Sequence, residues 1–283
     1  MELKNIELIN FRNYKYQKIE FINGINLFVG NNAQGKTNII ESIYISAFGK
    51  SYRTVKDNEI INFESEFSKI NLEYSKDDIN NKINYSIDRL NRKNILKNDV
   101  KIRKLSDHVG DIPIVLFSPD SLDIVKGAPA KRREFINMIA SQLSKNYLIA
   151  LQDYNKCLKI KNSCLKKDFV DKEYLKILND KMITYIQKIV NFRKLIIEKI
   201  LEKAKIIEKN VTNGKEDIFL KYETDFLNMT SQQINDILNK YMEIEIMKKS
   251  SMKGIQRDDV IIYVNNLEVA KYGSQGQNRT ALL

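Results

Sequence analysis

One histidine, two cysteines and three prolines in 283 residues remove several kinds of chemistry at once. His108 stands alone, so neither a multi-histidine metal site nor a histidine-relay enzyme can be built within this chain. Cys157 and Cys164 share a face of a helical stretch but sit two turns apart, out of disulfide reach, and read as packed thiols. No apolar run approaches the roughly 18 residues that a membrane helix needs. Charges through the opening Met-Glu-Leu-Lys-Asn-Ile-Glu exclude a signal peptide. The expected compartment is therefore the cytoplasm, and no membrane partner is expected. From Ala130 to Asn210 proline and glycine are absent, which leaves nothing to break helices there.

What is present is basic. Lys and Arg total 47 against 36 Asp and Glu, a net charge of +11. That balance favours a polyanionic partner such as nucleic acid, although a composition rich in Ile, Asn and Lys produces the same excess without one. Hydrophobic residues at 43% and charged residues at 29% are ordinary for a folded protein. At roughly 150 residues per domain, the length allows one large domain or two small ones.

Residues 1–30 read as short strands, with Asn23-Gly24 as a tight turn between Ile19–Ile22 and Ile25–Val29. The spacing of Ile39, Ile40, Ile43, Tyr44 and Ala47 predicts a helix over 36–48. Residues 60–103 alternate as an antiparallel sheet with one wet face, and Ile112–Phe117 reads as a buried strand ended by Ser118-Pro119. From Ala130 to about Asn210, helical periodicity predicts two or three long helices, with a break near Lys166–Asp171. Strand character returns at 217–222 and 260–264, and Asn265-Asn266 forms a turn before 267–269.

Gly30-Asn31-Asn32-Ala33-Gln34-Gly35-Lys36-Thr37 matches the phosphate-loop pattern in full. The glycines let backbone N–H groups converge on phosphate oxygens, and the following helix adds its positive end. Lys36 can reach the β and γ oxygens of ATP, and the Thr37 hydroxyl is placed to hold Mg²⁺. A chance match in a chain this long comes at about one in a hundred. The loop alone does not choose among kinases, GTPases, helicases and ABC-type ATPases.

About 240 residues later stands Gly273-Ser274-Gln275-Gly276-Gln277. Ser274 with Gln277 forms a capping-box pattern that opens a second phosphate-binding helix end. Together the two motifs resemble the ABC-type ATPases of chromosome and repair proteins, the SMC and Rad50 relatives. Within that class the chain is similar to the RecF family along its whole length. The likeness rests on Phe11-Arg12-Asn13-Tyr14, Gly30–Asn38, Gly49-Lys50-Ser51-Tyr52-Arg53-Thr54, Phe117–Leu122, Val125–Pro129 with Arg132-Arg133, and Arg257-Asp258-Asp259. Gln256 and Tyr52 stand where the family commonly has histidine. The family pattern continues past the signature helix to a Walker B strand, so the chain is expected to be shortened at its C-terminal end, to bind ATP without turnover, and to expose an unpaired sheet edge.

The resemblance implies an α/β fold, an ABC-type P-loop ATPase head with an antiparallel β lobe and an inserted helical subdomain. Its boundaries are expected at 1–118 for the ATPase lobe, 119–250 for the insert and 251–283 for the return to the ATPase domain. It implies ATP and Mg²⁺ as cofactors, and Arg12 on the nucleotide phosphates. It implies Ser274, Gln275, Gly276 and Gln277 acting in trans within an ATP-dependent homodimer. DNA gaps or junctions, RecR, RecO and RecA are the implied partners. Lys50, Arg53, Lys126, Arg132 and Arg133 are the candidate DNA contacts, made to phosphates and independent of sequence. Two alternatives stand beside it: a P-loop kinase or GTPase on a small molecule, which would need an acceptor pocket or a base-reading Asn-Lys-x-Asp, and an SMC-like tether, for which the insert is short.

Overall fold

Period-two apolar patterning in the N-terminal part builds a six-stranded antiparallel sheet. The computed structural model describes residues 1–283, which fall into two units, Met1–Val115 and Leu116–Leu283. In the first unit β1 (Glu2–Phe11), β2 (Tyr14–Glu20), β3 (Phe67–Lys76), β4 (Ile79–Asp88), β5 (Lys93–Lys97) and β6 (Val100–Lys101) lie in the order β2-β1-β3-β4-β5-β6. Ile70, Leu72 and Tyr74 on β3 alternate inward, as do Ile83, Tyr85 and Ile87 on β4. The register Ile70↔Tyr85 and Leu72↔Ile83 sets these side chains against one another on one face. Helix α1 (Lys36–Phe48) packs against β3 and β4 and buries Ile39, Ile45 and Phe48. Gly49, in the left-handed conformation at φ 66°, ends it.

The second unit is mainly helical. A short α2 (Asp123–Lys126) precedes α3 (Pro129–Leu143), which begins with Pro129 at a position where no N–H is needed. Then come α4 (Lys145–Leu165) and α5 (Lys172–Thr212), whose 41 residues span about 60 Å. The predicted break between them lies at residues 166–171, where Asp171 caps α5 by accepting from the Tyr174 amide. Strand β7 (Ile218–Glu223) precedes α6 (Ser231–Met247), and β8 (Asp259–Val264) pairs with β7 and β9 (Leu267–Glu268). Short α7 (Val269–Tyr272) and α8 (Gln275–Thr280) follow. The core gathers Tyr154, Met182, Ile186, Ile189, Ile234 and Leu238 from α4, α5 and α6. Beside it Arg193 pairs with Asp258 at 2.7 Å, both nearly without solvent contact.

Two expected strands are not strands. Ile25–Val29 and Ile112–Phe117 join no ladder. Apolar runs mark a capacity for pairing, but a strand also needs a neighbouring backbone to take its N–H and C=O groups. Without one, Ile25, Leu27 and Val29 are 82–90% exposed, and Val115 and Phe117 lie in water as well. The hairpin expected at Asn23-Gly24 is accordingly replaced by a bend that Asn26 ties to the Ile22 backbone at both N–H and C=O.

Candidate nucleotide site

Glycine at position 35 is dictated by its surroundings. Its φ is +96°, and a β-carbon there would come within 2.6 Å of the Tyr14 hydroxyl and 2.7 Å of Asn13 Oδ1. Ala33 is also left-handed, at φ 64°. Alternating handedness of this kind forms a concave nest of backbone N–H groups. Asn38 and Ile39 donate back to the Gly35 carbonyl and start α1 directly beneath that nest.

Lys36 Nζ donates to the Gly30 and Asn31 carbonyls, both at 2.6 Å. An ammonium group has three donors, so two carbonyls fix its position at the loop while the third hydrogen remains for an anion. Thr37 is exposed on the first turn of α1. Lys36, Thr37 and the nest therefore fit a triphosphate with its metal ion. Gly30, Asn31, Asn32, Ala33 and Gln34 are exposed around them.

The Phe11–Tyr14 motif props this loop from behind. The Tyr14 hydroxyl donates to the Gln34 carbonyl at 3.3 Å, and Asn13 Oδ1 accepts from Asn38 Nδ2 at 2.8 Å. Burial raises the Tyr14 phenol above its ordinary pKa, so it remains a donor across neutral pH. Arg12 is held in the left-handed region at φ 53°. Its Nε and Nη2 grip both oxygens of Glu41 at 3.0 and 2.6 Å, and Nη1 donates to the Glu59 carbonyl at 2.9 Å. Three of its five N–H groups are thus engaged within the protein.

Sequence reasoning missed Glu41. It has no solvent exposure, and besides Arg12 it takes Arg53 Nη1 at 3.0 Å and the Ser51 hydroxyl at 2.5 Å. The available signal was an isolated acid inside the apolar run Ile39–Tyr44 of a helix. Arg53 also donates to Asn38 Oδ1 at 2.7 Å. Arg12, Asn13, Asn38, Arg53, Ile61 and Phe63 line a cavity of about 500 Å³.

The other motif residues are placed as follows. Ser274 Oγ accepts from the Gln277 amide at 3.1 Å, and Gln277 Oε1 accepts from the Ser274 amide at 2.9 Å, the expected capping box. Gln275 and Gly276 are exposed in the first turn of α8. Lys50 and Lys126 are exposed. Arg132 grips Asp259 through Nε and Nη2 at 2.7 and 2.9 Å, and Arg133 donates to the Asp258 carbonyl at 2.8 Å. Asp258 and Asp259 are therefore arginine partners. Gln256 accepts from the Tyr154 hydroxyl and donates to the Lys253 carbonyl at 3.1 Å. Tyr52 lies edge-on to Tyr44 at 5.1 Å.

Residues 1–278 match the AAA ATPase domain family. The DNA replication and repair protein RecF of Clostridium kluyveri is 40% identical over 291 aligned residues, covering 100% of this chain and 79% of that protein. RecF of Clostridioides difficile is 38% identical over 289, covering 99% and 77%. The solved structure of the recombination mediator protein RecF with ATP, in the RecFOR pathway, superposes with a TM-score of 0.92 at 31% identity, covering 99% of this chain and 78% of that one. An SMC head bound to the ScpA winged-helix domain shares the fold at a TM-score of 0.55 and 15% identity. No helix is long and apolar enough to cross a membrane.

Proposed function

The chain belongs to the AAA ATPase domain family and to the RecF family of DNA replication and repair proteins, and from that membership we propose that it is an ATP-dependent DNA-binding clamp of recombinational repair and replication restart. The observation that carries the reading is Lys36, pinned by two loop carbonyls with one hydrogen left for a phosphate. Gly30, Asn31, Asn32, Ala33, Gln34, Gly35, Lys36 and Thr37 cradle the phosphates of ATP, Thr37 holds Mg²⁺, and Arg12 completes the site. Bound ATP supplies the negative charge that joins two heads. Ser274, Gln275, Gly276 and Gln277 of one copy then meet the nucleotide of the other, and the closed homodimer retains gapped or junction DNA. RecR and RecO are the partners for loading RecA, and the setting is the cytoplasm. In this reading residues 1–118 are the ATPase lobe, 119–250 the helical insert and 251–283 the return to the ATPase domain. A small-molecule kinase or GTPase is not favoured, since the family resemblance extends along the whole chain.

Lys36→Met removes the only ammonium at the loop. It is expected to abolish ATP binding, ATP-dependent dimerisation and ATP-dependent retention on gapped DNA. Nucleotide titration, sizing by light scattering and a gapped-duplex retention assay measure the three in turn, and a variant that still dimerises with ATP overturns the clamp.

A further inference from the structure

The carboxylate of Glu41 is the most heavily contacted acidic group of the first unit, and nothing in the phosphate-loop pattern accounts for it. It sits one turn beyond Thr37 on α1 and is fully buried. A carboxylate without water needs compensation. Here two guanidinium groups and a hydroxyl supply it from two segments: Arg12 from the β1–β2 turn, Arg53 and Ser51 from the loop after α1. The contacts are divided between its oxygens. Oε1 takes Arg12 Nη2 at 2.6 Å and Ser51 Oγ at 2.5 Å, and Oε2 takes Arg12 Nε and Arg53 Nη1, both at 3.0 Å.

Two arginines that share one carboxylate carry a net charge of +1. Left to themselves they repel each other. Held by Glu41, both line the same cavity of about 500 Å³, together with Asn13 and Asn38, which connect to the phosphate loop and its helix. Ser51 extends the arrangement, because its hydroxyl also accepts from the backbone amides of Arg53 at 2.9 Å and Thr54 at 3.3 Å. One buried acid thus fixes the separation and orientation of two cationic groups beside the triphosphate site.

We propose that Glu41 is a positioning residue for nucleotide binding, which acts through Arg12 and Arg53 by holding the two guanidinium groups together at the cavity beside the phosphate loop. The inference rests on the ATP-binding reading. It adds that affinity depends on a residue that touches no nucleotide.

The test is a double-variant cycle on the full chain, read by ATP titration of folded protein. Glu41→Gln and Arg53→Gln are each expected to weaken ATP binding about tenfold or more. Combined, they are expected to weaken it no further than the worse single change, because the first acts through the second. Glu41→Asp keeps the charge but withdraws the oxygens, and is expected to fall between wild type and Glu41→Gln. If Glu41→Gln does not fold, the comparison of Glu41→Asp with the Arg53→Gln background carries the same test. A purely structural Glu41 lowers the thermal midpoint and leaves the affinity of the folded fraction unchanged, and that result overturns the proposal. Independent, multiplying losses overturn it too. Lys36→Met serves as the control: if that variant still binds ATP the nucleotide reading has failed, and if only Glu41→Gln binds normally the positioning role alone has failed.

Discussion

His108, the single histidine, sits beneath the phosphate-loop helix with almost no exposure, and its Nε2 contacts the Ser46 carbonyl of α1 at 2.5 Å. Nε2 is thus the protonated nitrogen of a neutral ring. Burial pushes its pKa below the ordinary value of 6.5, against the opposing pull of the Ser46 carbonyl and Asp111. The unfolded chain therefore takes up this proton first as the pH falls. Stability from the neutral ring is complete above the unfolded value and is lost progressively on acidification through it. His108→Gln keeps a donor for Ser46 and cannot titrate in that range. Between pH 7.5 and 5.5, urea denaturation is expected to show wild type losing more stability than His108→Gln. Parallel profiles would remove His108 as the cause. The packing role of His108 under α1 is not displayed by the sequence, which places it 62 residues from Ser46; only the fold joins them.

At the scale of elements, the helical unit is tied by a buried ion pair. Lys161 on α4 and Glu245 on α6 meet at 2.7 Å with no exposure of either. The other oxygen of Glu245 accepts from the Met252 amide at 2.7 Å and the Ser251 hydroxyl at 3.2 Å, so the pair also fixes the turn after α6. Breaking one side leaves an uncompensated charge, at a cost of about 3–5 kcal/mol. Glu245→Gln is expected to destabilise by about that amount. Adding Lys161→Met is expected to recover part of it, because the stranded ammonium is then gone while the Gln oxygen still accepts from the backbone. Chemical denaturation of the four proteins measures the coupling, and simple additivity would refute it. How legible each element was follows from where its information lies. Helix α1, the break between α4 and α5, and strands β3 and β4 follow from local periodicity and caps, which a sequence displays directly. Helix α6 lies beyond the stretch in which periodicity predicts helices, although Thr230 and Gln233 form a capping box at its start. Ile25–Val29 and Ile112–Phe117 carry strand patterns yet join no ladder, because a strand is a relation between two backbones and only one side of that relation is written locally. The site divided in the same way: the phosphate loop is a contiguous motif, whereas Glu41 gains its role from residues 10 to 29 positions away.

Across the whole molecule the +11 charge is the feature that a DNA clamp needs, but the charge is not uniformly available. Of the five candidate DNA contacts, Arg53, Arg132 and Arg133 already serve Glu41, Asp259 and the Asp258 carbonyl, while Lys50 and Lys126 are exposed. The two groups predict different signatures. Contacts to DNA phosphates release counterions, so log affinity falls with log salt by about 0.9 per phosphate neutralised. Lys50→Gln and Lys126→Gln are each expected to reduce that slope by about one, alike on unrelated sequences, and to leave the thermal midpoint within error. Arg132→Gln strands Asp259, which is mostly buried, so it is expected to lower the midpoint while the slope for the folded protein holds. Salt titrations of binding to a gapped duplex, paired with thermal melts, separate these cases. A slope that responds to Arg132 and not to the lysines would mean that the Arg132–Asp259 pair opens on DNA and that the basic surface is assembled on binding. A slope that responds to the lysines means that these charges are available to DNA phosphates in the free chain, with no internal ion pair to be broken first.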